Sequence, residues 1–226
     1  HYNDTYAPVV SWSTIRLLLT LAHVHGWKSR QIDFVLAFPQ ADVKTDVFME
    51  VPQHFDVNGQ NRLQRNESAK NPRYQPHVLK LLKNVYGLKD GPLTWYEHLT
   101  KGLIKRGFTQ SNVDPCLFIK NNLILLVYVD DCVALSPDDK AITDFIESMK
   151  KDYTLTDEGD IAAYLGIQVV IKKDGISLTQ PALIQRIIET VPLKDHRCPI
   201  YTSDAADELT RIELGVRRTL HQIHTI

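Results

Sequence analysis

Cysteine is scarce and badly placed for framework chemistry. The chain has three, Cys116, Cys132 and Cys198, and an odd number without CxxC spacing argues against a disulfide scaffold or a zinc ribbon. Its nine histidines form neither HExxH nor a finger spacing, so His23 and His25 read as ordinary polar residues rather than ligands. Long hydrophobic runs are missing. A bilayer-spanning helix needs roughly 20 apolar residues, and the run from Leu123 to Val129 stops after seven. No membrane partner is therefore expected. No secretory signal pattern opens the chain, so the sequons Asn3-Asp4-Thr5 and Asn66-Glu67-Ser68 carry no weight. An excess of one charge is missing too: 26 Lys and Arg stand against 27 Asp and Glu, a balance that names no partner. The chain opens on His1 instead of Met, and it is expected to be a piece of something longer.

What is present is ordinary globular material. The 226 residues are 43% hydrophobic and 23% charged, enough for one large domain or two small ones with a real core. Between Val78 and Lys120, seven Lys and Arg face three acids, an excess that suits a phosphate-lined groove and equally suits a solvated face. The chain is organised around Leu123-Ile124-Leu125-Leu126-Val127-Tyr128-Val129-Asp130-Asp131, which is followed by Cys132-Val133-Ala134-Leu135-Ser136. Two strand-length apolar runs meet at two adjacent carboxylates. In a continuous strand such neighbours point to opposite faces; at a hairpin tip they can converge, and like charges that close need a cation or a proton between them. Asp is also an ordinary turn residue, so the pair gains meaning only if a third carboxylate is placed beside it.

Asp33 is that candidate. It lies in Gln31-Ile32-Asp33-Phe34-Val35-Leu36-Ala37-Phe38, inside a strand read from Trp27 to Phe38 and closed by Pro39. A lone acid in an apolar strand calls for a partner or a metal. The remaining elements follow from periodicity and caps. A helix from Thr14 to Ala22 is capped by Ser11 or Ser13 and ended near Gly26. Short strands are expected at Val47–Val51 and Val78–Leu82, with a long polar excursion from Pro52 to Pro76 between them. A helix from Leu93 to Arg106 is opened by Pro92 and buries Leu99, Leu103 and Ile104. A helix from Asp138 to Tyr153 buries Ile142, Phe145, Ile146 and Met149. Strands at Ala163–Ile171 and Ile176–Leu178 flank a turn at Lys172–Gly175, and a last helix runs from Gln180-Pro181 to Glu189. The order of strand, helix, strand pair, helix and strand predicts an α+β fold with a split β-α-β-β-α-β core, closed by the strand 163–171.

At this point the motifs resemble a known family. Tyr128-Val129-Asp130-Asp131 between apolar strands resembles the Y-x-D-D box of reverse transcriptases, and the surrounding blocks resemble the copia-type retrotransposon branch. These are Gln31 to Gln40, Val47 to Pro52, Tyr86-Gly87-Leu88-Lys89 with Pro92 and Trp95-Tyr96, Asp114 to Phe118, and Tyr164-Leu165-Gly166-Ile167. Six ordered blocks cover roughly residues 2 to 190.

The resemblance implies a polymerase palm with partial fingers over residues 1–190, followed by a divergent tail at 191–226. It implies an RNA-directed DNA polymerase that extends a primer on an RNA or DNA template with deoxynucleoside triphosphates. Asp33, Asp130 and Asp131 would be the catalytic acids and would hold two Mg²⁺ (or Mn²⁺) ions with the Phe34 backbone carbonyl. Such ions, about 3.5–4 Å apart, stabilise the attacking and the leaving oxygen. Asp131 is expected to tolerate change best, because strand alternation leaves it less well aimed. Phe38 would sit under the sugar as a steric gate, Asp90 and Gly91 would lie by the incoming nucleotide, and Tyr128 would pack against the primer end. Asp90 stands where many relatives have Gln. The family also implies partners elsewhere in a polyprotein, integrase and ribonuclease H, and a cytoplasmic virus-like particle as the setting. Its triphosphate-gripping cations lie on finger strands upstream of His1, so residues 1–226 alone are expected to bind Mg²⁺ weakly and not to polymerise. Two other functions fit less well. One is an inactive transposon remnant that at most binds nucleic acid; the other is a two-metal phosphohydrolase built on the same carboxylates.

Overall fold

Ser11 opens the first element as the sequence predicts. In a computed structural model that describes residues 5–52, 78–172 and 175–190, its hydroxyl accepts the Ser13 N–H at the start of helix α1 (Trp12–His25), and Gly26, at φ +64°, closes it. Its carbonyl end is thus capped by a residue free to adopt the left-handed region. Strand β1 (Lys28–Phe34) follows, then the four-residue helix α2 (Ala37–Gln40), and β2 (Phe48–Glu50) paired with β3 (Val78–Lys80). The helix α3 (Gly91–Lys105) leads into β4 (Thr109–Gln110), β5 (Leu117–Lys120), β6 (Leu123–Tyr128) and β7 (Asp131–Ser136). The helix α4 (Asp139–Lys150), the strand β8 (Leu155–Gly159), β9 (Ala163–Tyr164), β10 (Ile167–Lys172) and β11 (Gly175–Thr179) complete one compact unit, His1–Thr179. The second unit, Gln180–Ile226, contains α5 (Pro181–Thr190), whose side chains are all exposed.

The main sheet runs in the order β4-β5-β6-β7-β1-β8, and every neighbouring pair is antiparallel. Its last four strands carry the order of the split β-α-β-β-α-β motif, with α3 and α4 as the two crossovers. Both faces are buried. Ile32, Phe34, Leu125, Val127, Cys132 and Ala134 meet Trp95, Leu99, Leu103, Ile142, Ile146 and Met149 of the two helices. Leu126, Val133 and Leu135 turn the other way, toward Ile15, Leu18 and Leu19 of α1 and toward Tyr164 and Val169. A central strand covered on both sides must be apolar at every position, which is why Leu123 to Val127 shows no alternation. Of the helix α1 leucines, Leu18 is buried while Leu17 is exposed.

Several expectations are corrected. The strand beginning near Trp27 stops at Phe34, not at Phe38. Leu36 adopts φ +51° and breaks the pleat, and Pro39 lies within α2, whose first turn its fixed φ suits. Gln40 holds this bend: its side-chain amide donates to the Val35 and Thr154 carbonyls at 2.7 and 2.9 Å, and its side-chain carbonyl accepts the Thr154 N–H at 2.9 Å. The strand that closes the motif is β8, not 163–171. Leu155 is its one buried side chain, so its sequence carries no apolar signal. Residues 163–171 are split by Leu165 and Gly166, both at positive φ, into a two-residue hairpin within a separate three-stranded sheet. On α3 the buried stripe is Trp95, Leu99 and Leu103, and Ile104 lies one position round the helix, exposed. Pro52 borders, and 53–77 covers, the expected polar excursion, which lies outside the described residues. The same holds for Lys173 and Asp174 of the expected turn and for the 191–226 tail.

β8 is a sheet edge. Thr156, Asp157 and Glu158 are exposed, the register against β1 shifts between Gln31 and Ile32, and Gly159 takes φ +82°. Arg30 bridges Asp157 at 2.6 Å and Asp139 at 3.0 Å, which ties β8 to the first turn of α4.

One packing contact gives a direct prediction. A methyl group added at Gly102 would lie 2.0 Å from the Tyr153 hydroxyl oxygen. That ring cannot easily withdraw. It packs edge-on to Phe34, Trp95 and His98, its hydroxyl donates to the His98 carbonyl, and the Arg106 guanidinium lies over it. Gly102→Ala gains about 1 kcal/mol of helix propensity, yet it is expected to lower stability by about 1–3 kcal/mol net through overpacking. Urea denaturation measures this, and Gly102→Ala combined with Tyr153→Phe should recover part of the loss.

Candidate active site

The hairpin between β6 and β7 is two residues long. Tyr128 and Asp131 are the last cross-strand partners, and Val129 and Asp130 form the turn. Val129 sits at φ +52°, a region where Gly or Asn is usual at a hairpin tip and where a β-branched residue is strained. Such strain costs about 1–3 kcal/mol and persists only where surrounding contacts enforce it. Two do. The buried Trp95 indole donates to the Val129 carbonyl at 2.6 Å, and the Phe34 N–H donates to the Asp130 carbonyl at 2.9 Å.

Register then assembles a row. Tyr128 on β6 lies opposite Asp131 on β7, Asp131 opposite Asp33 on β1, and Asp33 opposite Thr156 on β8. Directly opposed residues share a face, and this is the face turned away from α3 and α4, since Ile32, Phe34 and Cys132 on either side pack against those helices. Asp131 therefore shares Asp33's face. The alternation argument that made it the more tolerant acid does not hold, because Asp130, not Asp131, is the residue lifted out of the pleat.

The carboxylates feel one another. Burial, and then the charge of Asp130, raise the Asp33 carboxyl above its usual range. Burial raises Asp131 as well, reinforced by Asp130, Asp33 and Glu158 and opposed by a hydrogen bond from Gln31. Among the described residues, no cationic side chain is among the groups that shift either acid. A divalent cation would relieve this repulsion, so the donor set suits Mg²⁺ or Mn²⁺. Among the described residues no three His, Cys, Asp or Glu side chains form a ready-made metal cage. The Cys132 thiol behind the site is pushed up to about 12 by burial and then by Asp131, so it stays protonated and inert. Cys116 is likewise free, buried and raised to about 12.

The pH dependence has a definite sign. Asp33 and Asp131 bind protons more tightly folded than unfolded, so their contribution to stability falls as pH rises from the ordinary 3.8 through their raised values, and it stays lost at neutral pH. Asp131→Asn is expected to raise the thermal midpoint of the metal-free protein at pH 7. The advantage should shrink as pH falls toward 3.8. A midpoint difference independent of pH would show that the gain has another source.

The other sequence candidates lie at varied distances along the chain from this row. The Phe34 ring is buried against Trp95 and Tyr153, on the opposite face from Asp33. Phe38 is half-buried on α2, with its ring tilted against Tyr86 at 4.8 Å. Asp90 is the residue before α3; its carbonyl accepts the Thr94 N–H, while its side chain makes no cap. Gly91 is buried, and an added methyl there would meet only ordinary contacts, at 3.7 and 3.8 Å. Tyr128 is half-buried beside the α1 face of the core. Two participants were not singled out from sequence. Gln31 was within reach, since it stands two residues before Asp33 on a strand and so shares its face. Trp95 lies in one of the resembling blocks, but nothing in sequence shows which carbonyl its indole meets.

An antiparallel sheet flanked by helices, with a hairpin-borne acidic row on one face, defines an α+β protein. The family model described as "Reverse transcriptase (RNA-dependent DNA polymerase)" matches residues 1–203, and the chain belongs to that family. It is 28% identical over 208 residues to the retrovirus-related Pol polyprotein from transposon TNT 1-94 of Nicotiana tabacum, covering 89% of this chain and 14% of that protein. It is 31% identical over 183 residues to the Pol polyprotein from transposon RE1 of Arabidopsis thaliana, covering 79% and 12%. It is 27% identical over 156 residues to the transposon Ty1-H Gag-Pol polyprotein of Saccharomyces cerevisiae, covering 66% and 8%. These relatives support the copia-type branch. The chain spans no more than 14% of the length of these three curated relatives. Among solved structures, telomerase from Candida albicans in complex with a fragment of telomeric RNA is similar at a TM-score of 0.42 and 13% identity, over 79% of this chain and 35% of that one. No helix among the described residues is long and apolar enough to cross a membrane.

Proposed function

We propose that this chain is the palm, with part of the fingers, of an RNA-directed DNA polymerase in a copia-type Pol polyprotein, and that it performs nucleotidyl transfer at the Asp33–Asp130–Asp131 site. The single observation that carries this is the row Tyr128–Asp131–Asp33 beside the Asp130 turn, a carboxylate set whose mutual repulsion calls for a divalent cation.

Asp33, Asp130 and Asp131 would hold that cation, with the Phe34 carbonyl as a further oxygen, once substrate phosphates complete the site. When bound, two Mg²⁺ ions supply charge stabilisation for the attacking and leaving oxygens of the displacement. The chain's own work is placement. β1 and β7 fix two carboxylates in register, and the turn brings the third to the same end of the sheet. Tyr128, the neighbour of Asp131 in the row, packs against the primer end. Phe38 lies under the sugar of the incoming nucleotide, and Asp90 and Gly91 at the start of α3 border it. The substrates are a primed RNA or DNA template and deoxynucleoside triphosphates, and the remaining partners are the other regions of the polyprotein, integrase and ribonuclease H.

The test is extension of an oligonucleotide primer annealed to RNA, catalysed by the Pol polyprotein that carries this chain, in Mg²⁺. Template-dependent extension that Asp130→Asn removes is the expected result. Extension that survives Asp130→Asn, or none from the unaltered polyprotein, would overturn the reading.

A further inference from the structure

We propose that Trp95 is a positioning residue of the acidic site, whose indole N–H fixes the peptide plane from which Asp130 projects. The inference rests on reading the aspartates as the cation-holding group. The Val129 carbonyl belongs to the peptide joining Val129 to Asp130, and the Asp130 carbonyl belongs to the next one. Each is held by a different element: the first by Trp95 of α3 at 2.6 Å, the second by Phe34 of β1 at 2.9 Å. Both peptides that flank Asp130 are thereby pinned, and the Asp130 side chain leaves a backbone that cannot turn about either.

The turn needs this help. Val129 at φ +52° sits where a β-branched residue is disfavoured, so a released turn would relax and carry Asp130 with it. The donor is itself committed, because Trp95 is 1% exposed and a buried N–H without a partner is costly. The ring and the N–H serve separable ends. The ring packs against Phe34, His98 and Tyr153, which a phenyl group can largely imitate. No phenyl group can bond the Val129 carbonyl.

The experiment uses the 226-residue chain and Mn²⁺ as the probe, with free Mn²⁺ counted by electron paramagnetic resonance and the thermal midpoint by circular dichroism. Trp95→Phe is expected to weaken Mn²⁺ binding about fivefold, the order of one lost hydrogen bond. Leu99→Ala, which empties the same core without touching the turn, should lower the midpoint and leave Mn²⁺ binding by the folded protein unchanged. Unaltered binding in Trp95→Phe overturns the proposal, and so does an equal loss in Leu99→Ala, which would make the effect one of core packing. If Asp130→Asn binds Mn²⁺ as the parent does, the reading of the acids has failed and the positioning role falls with it. A second measurement separates the two failures and needs no variant. In the parent protein, the Trp95 indole hydrogen should exchange with solvent far more slowly than that of Trp12, which is 42% exposed. Exchange as fast as that of Trp12 would show that the bond to Val129 does not persist, whatever the acids bind.

Discussion

Asp33→Asn and Asp130→Asn are each expected to reduce primer extension about a thousandfold or more while the protein remains folded, since a lost metal ligand removes several kcal/mol of transition-state stabilisation. Folding should survive because neither side chain carries the core: both are partly exposed, and both sit among like charges. The Asp130 backbone bond to Phe34 is unaffected by the change, since the carbonyl, not the side chain, accepts it. Asp131→Asn is the informative comparison. Strand alternation taken alone makes it the most tolerant of the three, but the register that pairs it with Asp33 predicts a loss nearer to theirs. Steady-state kinetics in Mg²⁺ and in Mn²⁺, with circular dichroism as the folding control, measures all three. Near-parental rates in Asp33→Asn or Asp130→Asn would remove those residues from the chemistry.

Phe38→Val is expected to raise incorporation of ribonucleotides relative to deoxynucleotides by at least the 10- to 200-fold that a pocket methylene typically decides, about 1–3 kcal/mol. Use of deoxynucleotides should change little. The ring is half-buried on a four-residue helix, tilted against Tyr86, and follows the bend that Gln40 clamps. Competition between matched ribo- and deoxynucleoside triphosphates gives the ratio directly. If the ratio is unchanged and only the thermal midpoint falls, Phe38 is a packing residue between α2 and the segment around Tyr86.

The legible parts of the sequence were those where a signal was local. The N-cap Ser11, the Gly26 stop, Pro92 at the head of α3 and the Ile142, Phe145, Ile146 and Met149 stripe of α4 all stand where period and capping put them. The double-Asp hairpin was legible because two apolar runs can meet two acids only at a turn. β8 was not, since an edge strand with one buried side chain has no apolar period to read. The end of β1 was missed for a related reason: apolar residues continue from Val35 to Phe38, and the left-handed turn at Leu36 leaves no mark in a chain that uses no Gly there. In the site, Asp33 could be singled out by its cost as a lone acid in a strand. That Asp131 is its partner across the ladder follows from register, which long-range pairing sets and a single sequence does not print. The Trp95 bond spans 34 residues, beyond any local pattern.

The closing strand β8 has a consequence beyond completing the motif. A sheet ending in a long flat strand offers its free amides and carbonyls to any extended segment nearby, and so grows by recruiting neighbours. Here the last strand is five residues long, displays Thr156, Asp157 and Glu158 to solvent, slips register near its end and finishes in a left-handed glycine. At the far edge, β4 offers two residues. Glu158 of β8 would repel the matching acid of a second copy, and the slipped register denies an incoming strand a straight ladder. The sheet is self-terminating at both margins, so copies brought to high local concentration resist edge-to-edge polymerisation.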